Sequence, residues 1–544
     1  MDPGSGRFRK KGLNSLALSC GDPSVIPDSE WKFFEGTEQR LKHLARHRAE
    51  NLIALLERQP LPWDPAELDA RQIRSLEEMD YPARLEAAFE LGPTPEQERH
   101  LILHRRWALR ALFESHPDLA PLTHDLEVRW AGLRPEGDRS WAEIAGDARG
   151  TPDRDRREEA WKAMAGAAAS QIEDAAELLK RRELLGRALL AIGFPVIAFH
   201  FQELDRSEIV GLIDVLERFT RRTFEETRRE IASALDVHDL EPWDMDVGFA
   251  KLGELPPGDV NRAMRSILEE AKRWGFDSNT FPEFVESPDL IHEAWPVWVE
   301  IPGDTRVLFR PGHDWATLRA RVRAFGAALH GAGARSRRHF LEQDSAVMQE
   351  ATGRIFEGLL DDPDWLKAHT GADEPAIRQH LHVSRRRRIL ELRRAAALTA
   401  FENLAYAPSE LEPQRLYADV MEHMLQETRR PETVWASHPD LIFRPFAQGA
   451  ALVGAMVAAQ SGRALASIET NRRADWLVEH YLGPAAREPI LSRVERATGA
   501  PLDLEALAND LGVEAEGPTL TEAEEMKDDA LAEYFKDIDL SDLE

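Results

Sequence analysis

Along most of this chain apolar residues return every three or four positions, a pattern that buries only as packed amphipathic helices. From Glu38 to Glu57, Leu41, Leu44, Ala45, Ala49, Leu52 and Leu55 fall on one helical face. Leu, Ala, Glu and Arg are abundant while tyrosine occurs only 5 times, so the composition supports the same conclusion. The spacing predicts a mainly α protein of solenoid-like or bundle architecture. At 544 residues the chain is long enough for a large core and several units.

One short β element is expected at about 295–310. Trp295–Glu300 and Thr305–Arg310 flank Ile301-Pro302-Gly303-Asp304, which predicts a hairpin or two edge strands around a turn. It runs into a helix that Asp314 caps and that Gly331 and Gly333 close. Trp315, Leu318, Val322, Phe325 and Leu329 form the buried stripe of that helix, and Arg323, Ala327 and His330 share a neighbouring face. A Gly/Pro/Asp-rich stretch from Arg134 to Arg154 predicts a boundary or a long surface loop, and a second helical run ends at Gly193-Phe194-Pro195. These breaks divide the chain into a basic N-terminal arm (1–28), a helical region (29–150), a larger helical domain (151–514) and an acidic tail (515–544).

A formal net charge of -28, from 97 acidic and 69 basic residues, disfavours nucleic acid and anionic membrane as partners. No stretch approaches the roughly 18 uninterrupted apolar residues of a membrane span. Cys20 is the single cysteine, which excludes an intramolecular disulfide framework and fits a reducing, cytoplasmic setting. Arg7, Arg9, Lys10 and Lys11 precede a short apolar run from Leu13 to Cys20, so a lipoprotein anchored at Cys20 is the alternative; Asn14 and Ser15 interrupt that run. In the tail, Leu531, Tyr534, Phe535 and Ile538 fall at helical spacing among ten acidic residues and two lysines between Thr519 and Glu544. Such a segment either docks on a partner's groove or is a solubilising end.

Nucleotide-binding glycine loops, paired cysteines and a serine nucleophile elbow are all missing from the sequence. His43 with His47, and His100 with His104, stand at i, i+4, but neither pair has a Glu at the working position beside it, so ordinary surface or core histidines are expected. A relocated metal site from His330, His339 and Glu350 is a further arrangement, and His292-Glu293 begins like a zinc motif but lacks the second His. Arg385 to Arg388, with Arg393 and Arg394, reads as a solvated face paired with the chain's own carboxylates, or else as an anion or partner site.

Several segments occur together in a recognisable order. They are Leu179–Glu183 through Ala191-Ile192-Gly193-Phe194, Glu241-Pro242-Trp243-Asp244, Arg306–Arg310, Arg321–Gly331, Met348-Gln349-Glu350-Ala351-Thr352-Gly353, and Arg393–Tyr406. As an ordered set, spread over roughly residues 160–514, they resemble the superfamily of zinc metallopeptidases that includes oligoendopeptidase F, thimet oligopeptidase, angiotensin-converting enzyme and thermostable carboxypeptidases. The resemblance implies an elongated two-lobed helical body with a deep central cleft. It also implies a substrate-aligning edge strand at Arg306–Arg310 and a zinc helix at 321–331.

Carried over residue by residue, the third zinc ligand corresponds to Glu350, which is kept. The first ligand corresponds to Arg323, the second to Ala327 and the general base to Ala324, while Arg444 and Pro445 stand where the superfamily has an Arg-Tyr pair. A working H-E-x-x-H site needs two imidazoles one turn apart and a carboxylate beside the first. Arg does not deprotonate to become a ligand and Ala has no donor atom. Losing a general base or an oxyanion donor alone costs roughly a hundred- to thousandfold in rate.

The expectation is therefore a relative without metal or other cofactor, in which an Arg323–Glu350 ion pair replaces the zinc. It would hold a peptide, peptide-like ligand or protein partner in a cleft lined by Arg306, Phe309, Arg323, His330, Glu350 and Arg444, or through the tail. The alternatives are a non-metal enzyme rebuilt from Glu350, His330, Arg323 and Arg444, or an active metallopeptidase with its ligands elsewhere.

Overall fold

Helix starts in this protein are fixed by short polar side chains, as N-cap chemistry requires. Thr94 and Ser140 each form a capping box, with Gln97 and Glu143 respectively, and Asp314 accepts from the Thr317 N–H at 2.7 Å. The computed structural model describes residues 26–514, apart from 78–79, 136, 138, 337, 408–410, 428–434 and 437. The segment around Cys20 and the tail bearing Leu531, Tyr534, Phe535 and Ile538 lie outside the described residues. The fold is mainly α. The helices that bear on function are α1 (Asp28–Leu56), α2 (Pro95–Glu114), α3 (Trp141–Gly150), α4 (Trp315–Ala332), α5 (His339–Glu342), α6 (Ala346–Glu357), α7 (Glu374–Ala405) and α8 (Ala447–Ala466). No single helix among the described residues is long and apolar enough to cross a membrane.

Helix α3 corrects the expected loop at 134–154. Within that Gly-rich stretch Trp141, Ile144, Ala145 and Ala148 repeat at helical spacing and are buried, and the Trp141 indole donates to the Leu133 carbonyl at 2.8 Å. Gly146 and Gly150 have open space where a side chain would be, so their cost to the helix is only one of propensity.

The sheet has three strands, β1 (Glu283–Glu286), β2 (Ala294–Glu300) and β3 (Asp304–Phe309), in the order β1-β3-β2. The expected pairing of 295–300 with 305–310 is present: β2 and β3 are antiparallel, with Val297 opposite Arg306. Strand β3 is not an edge, however, because β1 pairs with it in parallel, Phe284 opposite Val307. Only four residues long and without a clear alternation, β1 carries too little pattern to be read as a strand. Arg310 ends β3 as a buried residue held by Glu293 at 2.6 Å and by the Ile291 carbonyl.

One face of the sheet sits on α4, where Val307 packs against Ala324 and Ala328 with Phe284 and Ala294 beside them. The other face, through Trp295, Val297, Val299 and Leu308, meets Leu55, Leu56, Trp130 and Ile442. Helix α4 is buried along its Trp315, Leu318, Val322, Phe325 and Leu329 stripe as expected; each of these large apolar side chains contributes about 1.5–3 kcal/mol.

Helix α6 is packed between α4 and α8. A Cβ on Gly326 would lie 2.7 Å from the Thr352 carbonyl oxygen and one on Gly353 would lie 2.6 Å from that of Arg323, so α4 and α6 touch backbone to backbone. Only glycine permits that approach.

Candidate functional site

The glycine contact between α4 and α6 fixes where Arg323 and Glu350 project. Arg323 donates to Glu357 through Nε at 2.9 Å and Nη2 at 2.7 Å, and to Glu391 of α7 at 3.2 Å. Glu350 is 3.9 Å from Arg323 and is held more closely by Arg354, one turn later, at 2.8 Å. Arg319 joins Glu357 at 3.4 Å, Asp361 at 3.0 Å and the Ser384 hydroxyl at 2.8 Å. Three guanidiniums and four carboxylates thus form one network.

Burial opposes the charge on Arg323, but Glu357, Glu350 and Glu391 outweigh it and hold the cation more firmly than usual. Burial likewise works against ionised Glu357, and Arg323, Arg319 and Arg354 more than offset it, keeping the carboxylate charged. The side chains of Arg323, Glu350 and Glu391 are 26%, 23% and 28% exposed, against 7% for Glu357. The network is closed at its deep end and open to solvent at the other.

This geometry corrects the expected pair: Arg323 reaches Glu350 only loosely, because Arg354 on the same helix takes that carboxylate and Glu357 faces Arg323. It also decides how well a divalent ion fits. Of the positions that the sequence resemblance aligns with metal ligands, 323 holds a cation already bound by two carboxylates and 327 a buried methyl group. Ala324, at the base position, lies under Val307. The remaining carboxylate is paired with an arginine. The residues at this place do not fit zinc.

His330 is 2% exposed, and both its ring nitrogens are engaged, Nδ1 with the Thr352 hydroxyl and Nε2 with Asp344, each at 2.7 Å. Asp344 in turn accepts two bonds of 2.6 Å from buried Arg493. Burial alone would raise the Asp344 pKa, yet Arg493 and His330 hold it well below the carboxylate range. His339 is directed to Gln343 at 3.2 Å. The relocated site of His330, His339 and Glu350 is therefore not assembled.

The other predicted residues are spread more widely. Arg306 is paired with Asp304 at 2.9 Å, and Phe309 lies under the Arg321 guanidinium at 4.1 Å. Arg444 binds Asp440 at 2.8 Å and covers the Trp295 ring at 4.4 Å, while the Pro445 carbonyl accepts from Gln202. Next to it the Phe446 N–H donates to both oxygens of Glu402, at 3.1 and 3.2 Å. Burial pushes the Glu402 pKa up to about 8; the Phe446 N–H opposes the shift and Asp440 adds to it. The 385–388 cluster is paired with carboxylates, Arg386 with Glu230, Arg387 with Asp246 and Glu254, and Arg388 with Asp510. The expected pairing with the chain's own carboxylates is present, but the face is solvated only in part: Arg385 is exposed while Arg387 and Arg393 are buried.

Of the histidine pairs, His47 stacks on Trp63 at 3.7 Å. Glu293, beside His292, is bound by Arg310 and Arg149. His100 and His104 meet a carboxylate that spacing alone does not place beside them, Glu38 of α1, and all three residues are buried. The one sequence signal was a charged residue on the buried stripe of α1, between Phe34 and Leu41.

A mainly helical body with a single small sheet laid on a long buried helix is the fold of the oligoendopeptidase F and M32 carboxypeptidase metallopeptidases. A structure described as oligoendopeptidase F superposes with a TM-score of 0.61 at 13% identity, covering 88% of this chain and 85% of that one. PZ peptidase A, solved with an inhibitor, gives 0.61 at 12% identity over 91% and 87% of the two chains. Metallocarboxypeptidase 1 of Trypanosoma cruzi gives 0.57 at 15% identity, covering 88% of this chain and 98% of its own. At these identities the likeness is one of fold. No family model and no curated protein matches the sequence.

Proposed function

We propose that this protein is a catalytically inactive relative of the peptidases whose fold it has, and that it holds a peptide or protein segment where they process one. The observation that carries this reading is Arg323, bound to Glu357 and Glu391 where a first metal ligand would stand. A fixed cation there removes the Lewis acid, and Ala324 removes the base that would activate water.

Retention of a ligand is supported by two further features. Arg323, Glu350 and Glu391 remain partly open to solvent. Strand β1 has a strand on only one side among the described residues, and a depression of about 350 Å³ lined by Glu286, His313 and Arg321 lies at its end. An extended segment added to that edge would satisfy its free backbone groups and place one side chain in the depression. The acidic tail is a second place for a partner, and a cytoplasmic setting accords with the single cysteine.

The test uses the full chain with added zinc and a library of internally quenched peptides, alongside fluorescein-labelled random nonapeptides. No hydrolysis above the blank is expected, and nonapeptide binding should persist in chelator. Hydrolysis that chelator blocks and Glu350→Gln abolishes would overturn the reading. Co-purification before and after deletion of 519–544 assigns the tail's part.

A further inference from the structure

We propose that Glu38, His100 and His104 form a structural site for a single divalent transition ion of the zinc class, pinning α1 to α2. One ligand atom from each of the three side chains lies within 4.8 Å of the other two, and the residues are 1%, 1% and 0% exposed. His100 and His104 stand one turn apart on α2, so their rings share a face, and α1 supplies the carboxylate from across the helix pair. Two imidazole nitrogens and one carboxylate oxygen make a three-ligand set suited to zinc-class ions.

A second observation singles out a ligand rather than a plain hydrogen-bonded cluster. Nε2 of His104 is fully buried, lies 3.1 Å from Oε1 of Glu38, and yet has no hydrogen-bond geometry to that oxygen or to any other atom. Oε1 of Glu38 thus faces both ring nitrogens, Nε2 of His100 through a hydrogen bond and Nε2 of His104 without one, and these are the atoms a bridging cation would take as ligands.

The surroundings complete the site. The Tyr81 hydroxyl bonds Nδ1 of His104 and orients that ring for Nε2 to ligate. Trp31 packs edge-on against His100 at 5.1 Å, and Phe34 and Phe340 against His104 at 5.1 and 4.8 Å, so the site is walled by aromatic rings. In the described state Glu38 also bonds Nε2 of His100, and Arg338 approaches Nδ1 of His100 at 3.3 Å. Metal on Nε2 puts the proton of His100 on Nδ1, so Arg338 must leave that nitrogen. It has somewhere to go, being 32% exposed and already bound to Glu35 at 2.8 Å.

These residues belong to the N-terminal helices, not to α4 and α6. The site is therefore separate from the place that the sequence resemblance assigns to a peptidase zinc, and it stands whether or not the protein is catalytic.

The full chain is stripped with chelator, dialysed, and titrated with Zn(II) against a chromophoric competitor and with Co(II) for its ligand-field spectrum. One ion per chain is expected, with a tetrahedral Co(II) spectrum and a higher melting temperature. His104→Gln and Glu38→Gln should weaken uptake by roughly a hundredfold or more, while Glu350→Gln and Arg323→Ala leave it unchanged. His104→Cys guards against simple misfolding: it should retain the ion and add a thiolate-to-Co(II) charge-transfer band. A stripped wild-type chain that takes up no stoichiometric ion, or uptake that survives both His104→Gln and Glu38→Gln, would overturn the proposal. Uptake lost only with Glu350→Gln would also overturn it, and would at the same time count against the inactive-peptidase reading.

Discussion

Replacing Glu402 with glutamine should make this protein more stable, and by an amount that grows with pH. Glu402 is 2% exposed, and its carboxyl accepts the Phe446 N–H beside buried Asp440. Its pKa, pushed up to about 8 chiefly by burial, compares with 4.5 for an ordinary glutamate. Between those two values the folded chain keeps a proton that the unfolded chain has released, so stability falls as pH rises. The contribution is fully present below about pH 4.5 and lost by about pH 8.

At about 1.36 kcal/mol per pH unit, burying Glu402 costs about 3 kcal/mol at pH 7, about 4 kcal/mol at pH 8 and about 5 kcal/mol well above it. Glutamine keeps an oxygen for the Phe446 N–H and has nothing to titrate. Urea unfolding followed by tryptophan fluorescence at about pH 4.5, 7 and 8.5 should show Glu402→Gln equal to wild type at the first and more stable at the other two. A difference that does not change with pH, or a variant less stable at pH 7, would refute the reasoning.

Four further substitutions probe single contacts in the fold. Arg323→Ala leaves Glu357 with fewer cations in a buried place and should cost about 2–4 kcal/mol by chemical denaturation; a loss below about 0.5 kcal/mol would mean the network carries little. Gly326→Ala drives a methyl group into the backbone of α6 and should cost about 1–3 kcal/mol or more, whereas Gly146→Ala in α3 should be neutral or stabilising by up to about 1 kcal/mol. Asp314→Ala removes the α4 cap and should lower stability by about 1 kcal/mol, read in the same assay.

Much of this architecture was legible in the residues because local rules decide it. Trp295, Val297 and Val299 alternate before a Pro-Gly turn, so β2 and β3 could be paired, and the α4 stripe and its Asp314 cap follow from spacing alone. Helix α3 was hidden because counting Gly and Pro obscured a short apolar repeat at 141, 144, 145 and 148. Strand β1 went unread because four residues hold too little period, and β3 was consequently placed at an edge.

At the candidate site, helical spacing shows which residues share a face but not how deep each lies. The family resemblance put Arg323 opposite Glu350, and nothing in the spacing pointed to Glu357, seven residues further along α6. Glu38 was invisible as a neighbour of His100 and His104 because the link runs between helices distant in the chain. Only the misplaced charge between Phe34 and Leu41 hinted at it.

The bare crossing of α4 and α6 has a consequence for how such a chain changes over time. Gly326 and Gly353 let the two main chains rest directly on each other, so their alignment does not depend on anything bound between the side chains alongside. The two glycines are therefore positions where almost any replacement forces the helices apart, while Arg323 and the buried Ala324 and Ala327 still carry charge and packing of their own.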